Sequence, residues 1–214
     1  MLKDKLGKLR EEYRKGSLSV SEILSNPFDQ FGKWLEEAIN SEIKEPNSMS
    51  LATSTSDGRP STRMVLLKEF DKRGFVFYTN FNSQKGRELD QNNKCALLFY
   101  WKEFERQIRI EGYAEKVSDE ESDAYFSIRP FESRLGAYIS PQSEIIPGRE
   151  YLEEAMERVK SQLSTGLVSR PEYWGGYRVY PQVFEFWQGR ENRLHDRFQF
   201  LKSNENWAIH RLAP

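Results

Sequence analysis

Between residues 49 and 117 the chain breaks repeatedly into short runs of strand formers separated by tight turns, and this punctuation constrains the fold most. "SMSLATST" and "STRMVLLKEF" flank "SDGRP", where Asp57 and Gly58 suit the positive φ of a hairpin turn. "FDKRG" turns the chain into "GFVFYTN", and "KCALLFYW" with "RQIRIEGYAEKV" makes a further pair. One short helix interrupts the run, capped by Ser83 and reaching Asp90. Strands joined this closely pair antiparallel, and a meander of them points to a barrel more than to an open parallel sheet.

The flanks are helical. Leu2, Leu6, Leu9 and Tyr13 follow helical spacing, so a short amphipathic arm is expected, interrupted by "KGS" at residues 15–17. A firmer helix follows, with Asn26 as cap, Pro27 in the first turn, and Phe28, Phe31, Leu35, Ala38 and Ile39 as its apolar stripe. Beyond the meander, Ser118 and Glu121 suggest a capping box for a helix running to Arg129. Pro130 breaks it and opens another helical turn through Tyr138; a longer helix over residues 148–163 places Leu152, Ala155, Met156, Val159 and Leu163 on one face. From Tyr177 the β pattern returns in three strands. Strands, then helices, then strands describe an α+β domain whose last strands complete the first sheet. One domain over residues 1–214 is expected: a helical arm over 1–45, barrel strands over 49–117 and 175–214, and a helical insertion over 118–165.

Lys and Arg total 32 against 33 Asp and Glu, so no global basic field draws the chain to nucleic acid or an anionic membrane, and any anion site is local. A hydrophobic share of 37% is low for a large self-contained core, yet aromatics reach 14%; burial at a subunit interface or around a cofactor reconciles the two. The single cysteine, Cys95, excludes an internal disulfide and reads as an inert core thiol within "CALLFYW". With only His195 and His210, no histidine-rich metal centre is expected. The N-terminus lacks an apolar signal core and the longest apolar run, residues 95–101, is too short to span a bilayer, so a soluble cytoplasmic protein is expected.

Glycine-rich phosphate loops, nucleophile elbows and metal-spaced histidine pairs are absent from the sequence. What remains is polar groups planted in strands and helix starts. In "RMVLLK", alternation puts Arg63, Val65 and Leu67 on one face and Met64, Leu66 and Lys68 on the other. Tyr78 and Thr79 close a strand before Ser83, Gln84 and Lys85 open a helix, an arrangement that suits a phosphate as well as it suits simple capping. Tyr125 and Arg129 lie one helical turn apart with Ser133 beyond Pro130, good chemistry for a phosphate, although Arg129 equally suits a surface ion pair. In "NRLHDR" a strand would align Arg193, His195 and Arg197 on one face, with Leu194, Asp196, Phe198 and Phe200 on the other; an anion site and a solvated edge strand both fit.

In their order, "RMVLLK", "FYTN", "SQKGREL", "RQIRIEG", "YFSIRPFESRLGAYISPQS" and "EFWQGRENRLHDR" resemble the pyridoxamine 5′-phosphate oxidase family, over nearly the whole chain and including the final "RLAP". The resemblance implies a homodimeric, antiparallel α+β split β-barrel with flanking helices that binds FMN at the subunit interface. It implies oxidation of pyridoxamine or pyridoxine 5′-phosphate to pyridoxal 5′-phosphate, with O2 as electron acceptor and H2O2 as product. The residues matching the family's FMN contacts are Arg63, Met64, Val65, Leu66, Leu67, Lys68, Tyr78, Thr79, Gln84, Lys85, Gln107, Gln142, Ser143, Trp187 and Arg197, some supplied by the second subunit. Those matching substrate contacts are Lys68, Tyr125, Arg129 and Ser133 at the phosphate, with Arg193, Leu194 and His195 over the ring and Arg10, Glu11, Glu12 and Tyr13 in an arm that folds over the site. Arg193 and His195 match the residues nearest the chemistry. Many members carry Arg just before the helix-start lysine, where this chain has Gln84. A flavin-binding split-barrel carrier or sensor without oxidase activity is the alternative; a single-stranded nucleic-acid barrel is disfavoured by the balanced charge.

Overall fold

The computed structural model describes residues 5–6, 8–9, 11–162 and 168–214; Leu2, Arg10 and Leu163, named above, lie outside the described residues. The elements run α1 (Pro27–Ile39), β1 (Ser48–Ser54), β2 (Pro60–Leu66), β3 (Glu69–Asp71), β4 (Gly74–Asn80), α2 (Gln84–Gln91), β5 (Lys94–Trp101) and β6 (Arg106–Lys116). There follow α3 (Asp119–Ser127), α4 (Phe131–Ile139), α5 (Arg149–Gln162), β7 (Trp174–Gln188), β8 (Asp196–Ser203) and β9 (Asn206–Arg211). The strands are hydrogen-bonded in the order β2-β1-β5-β6-β7-β4-β3, with β8 on β7 and β9 on β8. The β3–β4, β4–β7, β7–β8 and β8–β9 pairings are antiparallel. Phe75 opposite Val179 and Thr79 opposite Gly175 seat β7 beside β4, so the last strands do complete the first sheet. The α+β class and the antiparallel sheet are as expected.

By compactness the chain forms two units, residues 1–49, 97–111 and 181–214 in one, residues 50–96 and 112–180 in the other. In the first, the Asn26 side chain accepts the Phe28 N–H at 2.8 Å and starts α1 where expected. Phe28, Phe31, Leu35 and Ala38 are buried, joined by Trp34, while Ile39 ends the stripe exposed. The core is aromatic: Phe31 meets Phe99 at 5.0 Å, Trp34 meets Phe186 at 5.4 Å and Phe28 meets Phe184 at 5.3 Å, all edge-on. Large rings bury much area per residue, which is how a chain of modest apolar content fills this core. Of the expected amphipathic arm, the described Lys5 and Leu6 are helical, Leu6 and Leu9 are exposed, and from residue 11 the segment is not helical. The segment is instead fixed by backbone N–H groups, Lys15 donating to the Glu105 carboxylate at 2.9 Å and Leu18 to Asp196 at 3.1 Å.

In the second unit, the β1–β2 hairpin turns through Gly58 at φ 86°, as its Asp-Gly pair predicts. Ser118 accepts the Glu121 N–H at 3.1 Å, but the Glu121 carboxylate takes Arg178 at 2.9 Å in place of the reciprocal capping bond. α3 stops at Ser127, short of the expected Arg129, because the residue before Pro130 is disfavoured in helical conformation. Cys95 is buried and its thiol is pushed up to about 12 by burial, an inert core group. The start of α2 is fixed from two sides: Ser83 is fully buried, donating to the Asn80 carbonyl at 2.7 Å and accepting the Gly86 N–H at 3.4 Å.

Gly86 tests how tightly that helix start is set. A Cβ there would lie 2.0 Å from the Phe81 carbonyl oxygen, inside backbone that cannot rotate away. Helix propensity alone favours Gly86→Ala by about 1 kcal/mol, whereas the clash demands a shift of α2. Gly86→Ala is expected to lower the urea midpoint of unfolding, and a raised midpoint would mean that the helix start moves freely.

Candidate active site

The second unit holds a cavity of about 780 Å³. β2 brings Arg63, Met64, Val65 and Leu66 to its wall, with Lys68 just beyond; the end of β4 brings Tyr78 and Thr79, and the start of α2 brings Gln84 and Lys85. Tyr125 from α3, Arg129 before Pro130, Ser133 from α4, and Gln142 with Ser143 close the lining. Two sets of residues far apart in sequence, one matched to a cofactor and one to a substrate phosphate, thus line one space. Leu67 does not: it lies just past the end of β2, where strand alternation no longer holds, and it is buried in the core instead of sharing the cavity face of Arg63 and Val65.

Lys85 is the most demanding group. It is 6% exposed, and its Nζ donates to Thr79 Oγ1 and Ser83 Oγ, each at 3.1 Å, with no carboxylate in ion-pair range among the described residues. Burial, with the Arg63 charge next, pulls its ammonium down to about 8. Beside it, burial opposes the Glu88 charge, but hydrogen bonds from Ser61, Thr53, Gln84 and Arg63 outweigh it and hold the carboxyl at about 2. Ser61 donates at 2.6 Å, Gln84 at 2.9 Å and Arg63 at 3.3 Å. Gln84 therefore lines the cavity while its amide is engaged by Glu88. Arg63 also donates to Leu51 O at 3.2 Å and to Ser61 Oγ at 2.5 Å, which fixes its guanidinium.

The other side of the cavity is a stack. Tyr78 lies on Tyr125 with centroids 3.9 Å apart, Tyr78 stacks on Trp174 at 5.6 Å, and the Arg129 guanidinium sits 4.4 Å from the Trp174 ring centre. Burial pushes the Tyr78 phenol up to about 12, so it stays neutral and can donate. Arg129 Nη1 is buried with no hydrogen-bond partner among the described residues. A buried cationic donor without an acceptor is costly unless a ligand supplies one. Thr79 reaches Gln142 at 3.3 Å, which ties the end of β4 to the 142–143 segment.

The first unit holds the remaining matched residues. Trp187 lies against His195 with centroids 4.6 Å apart, and Tyr13 meets each ring edge-on at 5.5 Å. Arg197 donates to Glu185 at 2.7 Å and to Ala213 O at 2.7 Å, while Gln107 lies half-buried on β6. Glu12 pairs with Arg14, which also reaches Glu191 at 2.9 Å, and Glu11 is exposed. "NRLHDR" is not a strand throughout. β8 starts only at Asp196; Glu191, Asn192 and Arg193 form a short 3-10 turn in which Asn192 and Arg193 take φ of 55° and 62°. Arg193 is exposed, and Leu194, expected on the apolar face, is also exposed, whereas Asp196, Phe198 and Phe200 are buried as expected.

Trp174 lines the cavity and Glu88 supports it, and neither was expected there from the sequence. Trp174 opens a strand before a Gly-Gly pair, an aromatic with little around it to pack on; Glu88 looks like one more charge in a polar helix. Among the described residues no group of three or more His, Cys, Asp or Glu is placed to hold a metal.

Residues 35–163 match the family described as pyridoxamine 5′-phosphate oxidase, and residues 174–214 match the pyridoxine 5′-phosphate oxidase C-terminal dimerisation region. The pyridoxine/pyridoxamine 5′-phosphate oxidase of Trichormus variabilis is 54% identical over 207 residues, covering 96% of this chain and 97% of that one. That of Rubrobacter xylanophilus is 52% identical over 209 residues, covering 98% and 96%. Among solved structures, PhzG from Burkholderia lata 383, in complex with tetrahydrophenazine-1-carboxylic acid, is similar at TM-score 0.85 and 33% identity, over 93% of this chain and 100% of that one. A pyridoxamine 5′-phosphate oxidase-related, FMN binding protein from Nostoc punctiforme shares the fold at TM-score 0.70 and 15% identity, over 90% and 100%. The sheet and its flanking helices are the expected antiparallel split barrel.

The state of Lys85 gives the cavity a pH signature. Its ammonium is fully formed below about 8 and is lost as pH rises above that value; a bound anion pulls its pKa up. Sulfate keeps its charge over that range, so its affinity is expected to be constant at lower pH and to fall as pH rises past about 8. Lys85→Met should bind more weakly and without that fall. An identical pH dependence in the two proteins, read by calorimetric titration, would show that Lys85 does not hold the anion.

Proposed function

The chain belongs to the pyridoxamine 5′-phosphate oxidase family, and from that premise we propose that it is an FMN-dependent oxidase converting pyridoxamine and pyridoxine 5′-phosphate to pyridoxal 5′-phosphate. The observation that carries this reading is the single cavity lined both by Lys85, Arg63 and Gln84 and by Lys68, Tyr125, Arg129 and Ser133. Although the net charge is −1, Arg63, Lys68, Lys85 and Arg129 line one cavity, where two phosphates would be held.

The residues fit FMN. The cavity is of small-molecule size, Lys85 is buried with hydroxyl partners only, and Arg129 Nη1 has no acceptor among the described residues. Lys85 and Arg63 would hold the flavin phosphate from a helix start and a strand, with Gln84 adding a neutral donor. Met64, Val65, Leu66, Tyr78, Thr79, Gln142 and Ser143 would line the rest of the cofactor. When bound, FMN supplies the two-electron acceptor and the reaction with O2 that yields H2O2. Lys68, Tyr125, Arg129 and Ser133 orient the substrate through its phosphate. Charge-assisted bonds from two cations, with neutral hydroxyls beside them, favour a phosphate ester over a carboxylic acid.

The region matching a dimerisation region carries Trp187, Arg193, Leu194, His195 and Arg197. In the proposed homodimer these residues, with Gln107 and the 10–13 arm, complete sites shared between subunits. Arg193, exposed and without an ion pair or hydrogen bond among the described residues, is free to hold the substrate ring. No described helix is long and apolar enough to cross a membrane; the cytoplasm is the proposed location. The complete substrate set favours an oxidase over a carrier or sensor.

Anaerobic mixing of the flavin-loaded protein with pyridoxamine 5′-phosphate is expected to bleach the flavin band, and re-admitted O2 to restore it with release of H2O2. Arg193→Leu should keep FMN yet slow the bleaching by roughly 2–4 kcal/mol of transition-state stabilisation, the cost of losing one preorganised donor. A flavin band indifferent to the substrate would reject the oxidase reading, and unaltered bleaching by the variant would remove Arg193 from the site.

A further inference from the structure

His195 is held by its own loop. The backbone N–H of Arg190 donates to His195 Nδ1 at 3.1 Å. A backbone N–H can only donate, so Nδ1 must present its lone pair, and the one proton of a neutral imidazole then sits on Nε2. A doubly protonated ring would set one N–H against another at the same contact.

The loop is built to make this contact. Leu194 N–H donates to Glu191 O at 3.1 Å, and positive φ at Asn192 and Arg193 folds the chain back so that the ring of His195 reaches Arg190. The Arg190 guanidinium is anchored to Asp196 at 3.1 Å. Asp196, 5% exposed, accepts in addition the Leu18 N–H at 3.1 Å and Arg211 at 2.5 Å. Trp187 and Tyr13 flank the ring, and Nε2 has no hydrogen-bond partner among the described residues.

We infer that the Arg190 N–H locks His195 as the Nε2-protonated neutral tautomer, so that this ring offers its ligand a hydrogen-bond donor and no proton acceptor. Arg190 and Asp196 are the positioning residues of that lock. The inference rests on the proposed oxidase reading only for the identity of the ligand. Burial, then Arg193 and Arg197, lower the His195 pKa against the opposing pull of Asp196, in keeping with a neutral ring. On this assignment His195 holds a polar ring substituent of the substrate, and the proton released on oxidation goes to another group.

The chain has only two histidines, so a His210→Gln variant of the flavin-loaded protein leaves a single imidazole to observe. In its ¹⁵N-labelled form, two-bond proton–nitrogen correlation at neutral pH is expected to place Nε2 in the protonated range and Nδ1 in the unprotonated range. Arg190→Pro, which removes the N–H, should shift the two nitrogens towards averaged values; should that variant fail to fold, the first spectrum decides alone. Protonation on Nδ1, or averaging with the Arg190 N–H intact, overturns the lock. In anaerobic reduction by pyridoxamine 5′-phosphate, His195→Gln, which keeps an N–H donor, should stay within about threefold of the parent, while His195→Phe loses roughly tenfold, the equivalent of one hydrogen bond. Equal loss in both variants overturns the donor role. Absence of any reduction in the parent rejects the oxidase reading, with the spectrum still deciding the tautomer.

Discussion

Lys85 is a cation taken out of water with only two hydroxyls to receive it, and the arrangement of the second unit follows from that burden. Desolvating an ammonium costs several kcal/mol unless charge or hydrogen bonds compensate. Thr79 lies one residue before the end of β4 and Ser83 caps α2, so the two oxygens that hold Nζ are set by backbone structure. Gly86 lets the first turn of α2 close onto Phe81, which keeps Ser83 and Lys85 together. The ammonium remains charged at neutral pH but weakly compensated, the condition in which an incoming anion gains most.

Arg63 shows the opposite solution. Its guanidinium is held by Leu51 O, Thr53, Ser61 and Glu88, and Glu88 in turn is kept ionised by four donors. Lys85 is thus weakly compensated, while Arg63 is pinned in place. The Gln84 amide is drawn into the same cluster through Glu88, to which it donates at 2.9 Å.

Local signals carried most of the fold. Asn26, Ser83 and Ser118 each cap the helix that their sequence context indicated, and Asp57-Gly58 turned the hairpin, because these effects depend on a few neighbouring residues. Motif resemblance pointed to most of the side chains that line the cavity, but it included Leu67, which turns into the core, and missed Trp174. What was not legible depends on distant partners. Glu121 leaves its capping box for Arg178, a residue on β7 that reads as a surface charge and is 2% exposed. "NRLHDR" has the composition of a strand end, yet the bond from Arg190 to His195 and the left-handed backbone at Asn192 and Arg193 override alternation. A periodic pattern cannot report a side chain that turns back onto its own backbone.

On the proposed reading, one cavity in the second unit receives a phosphate at Lys85 beside a second anion site at Arg129. A crystal structure of the protein with FMN tests it most directly. The flavin phosphate is expected within hydrogen-bond reach of Lys85 Nζ, with Arg129 Nη1 still open to a second phosphate. FMN bound with its phosphate away from Lys85, or its phosphate on Arg129, would contradict it.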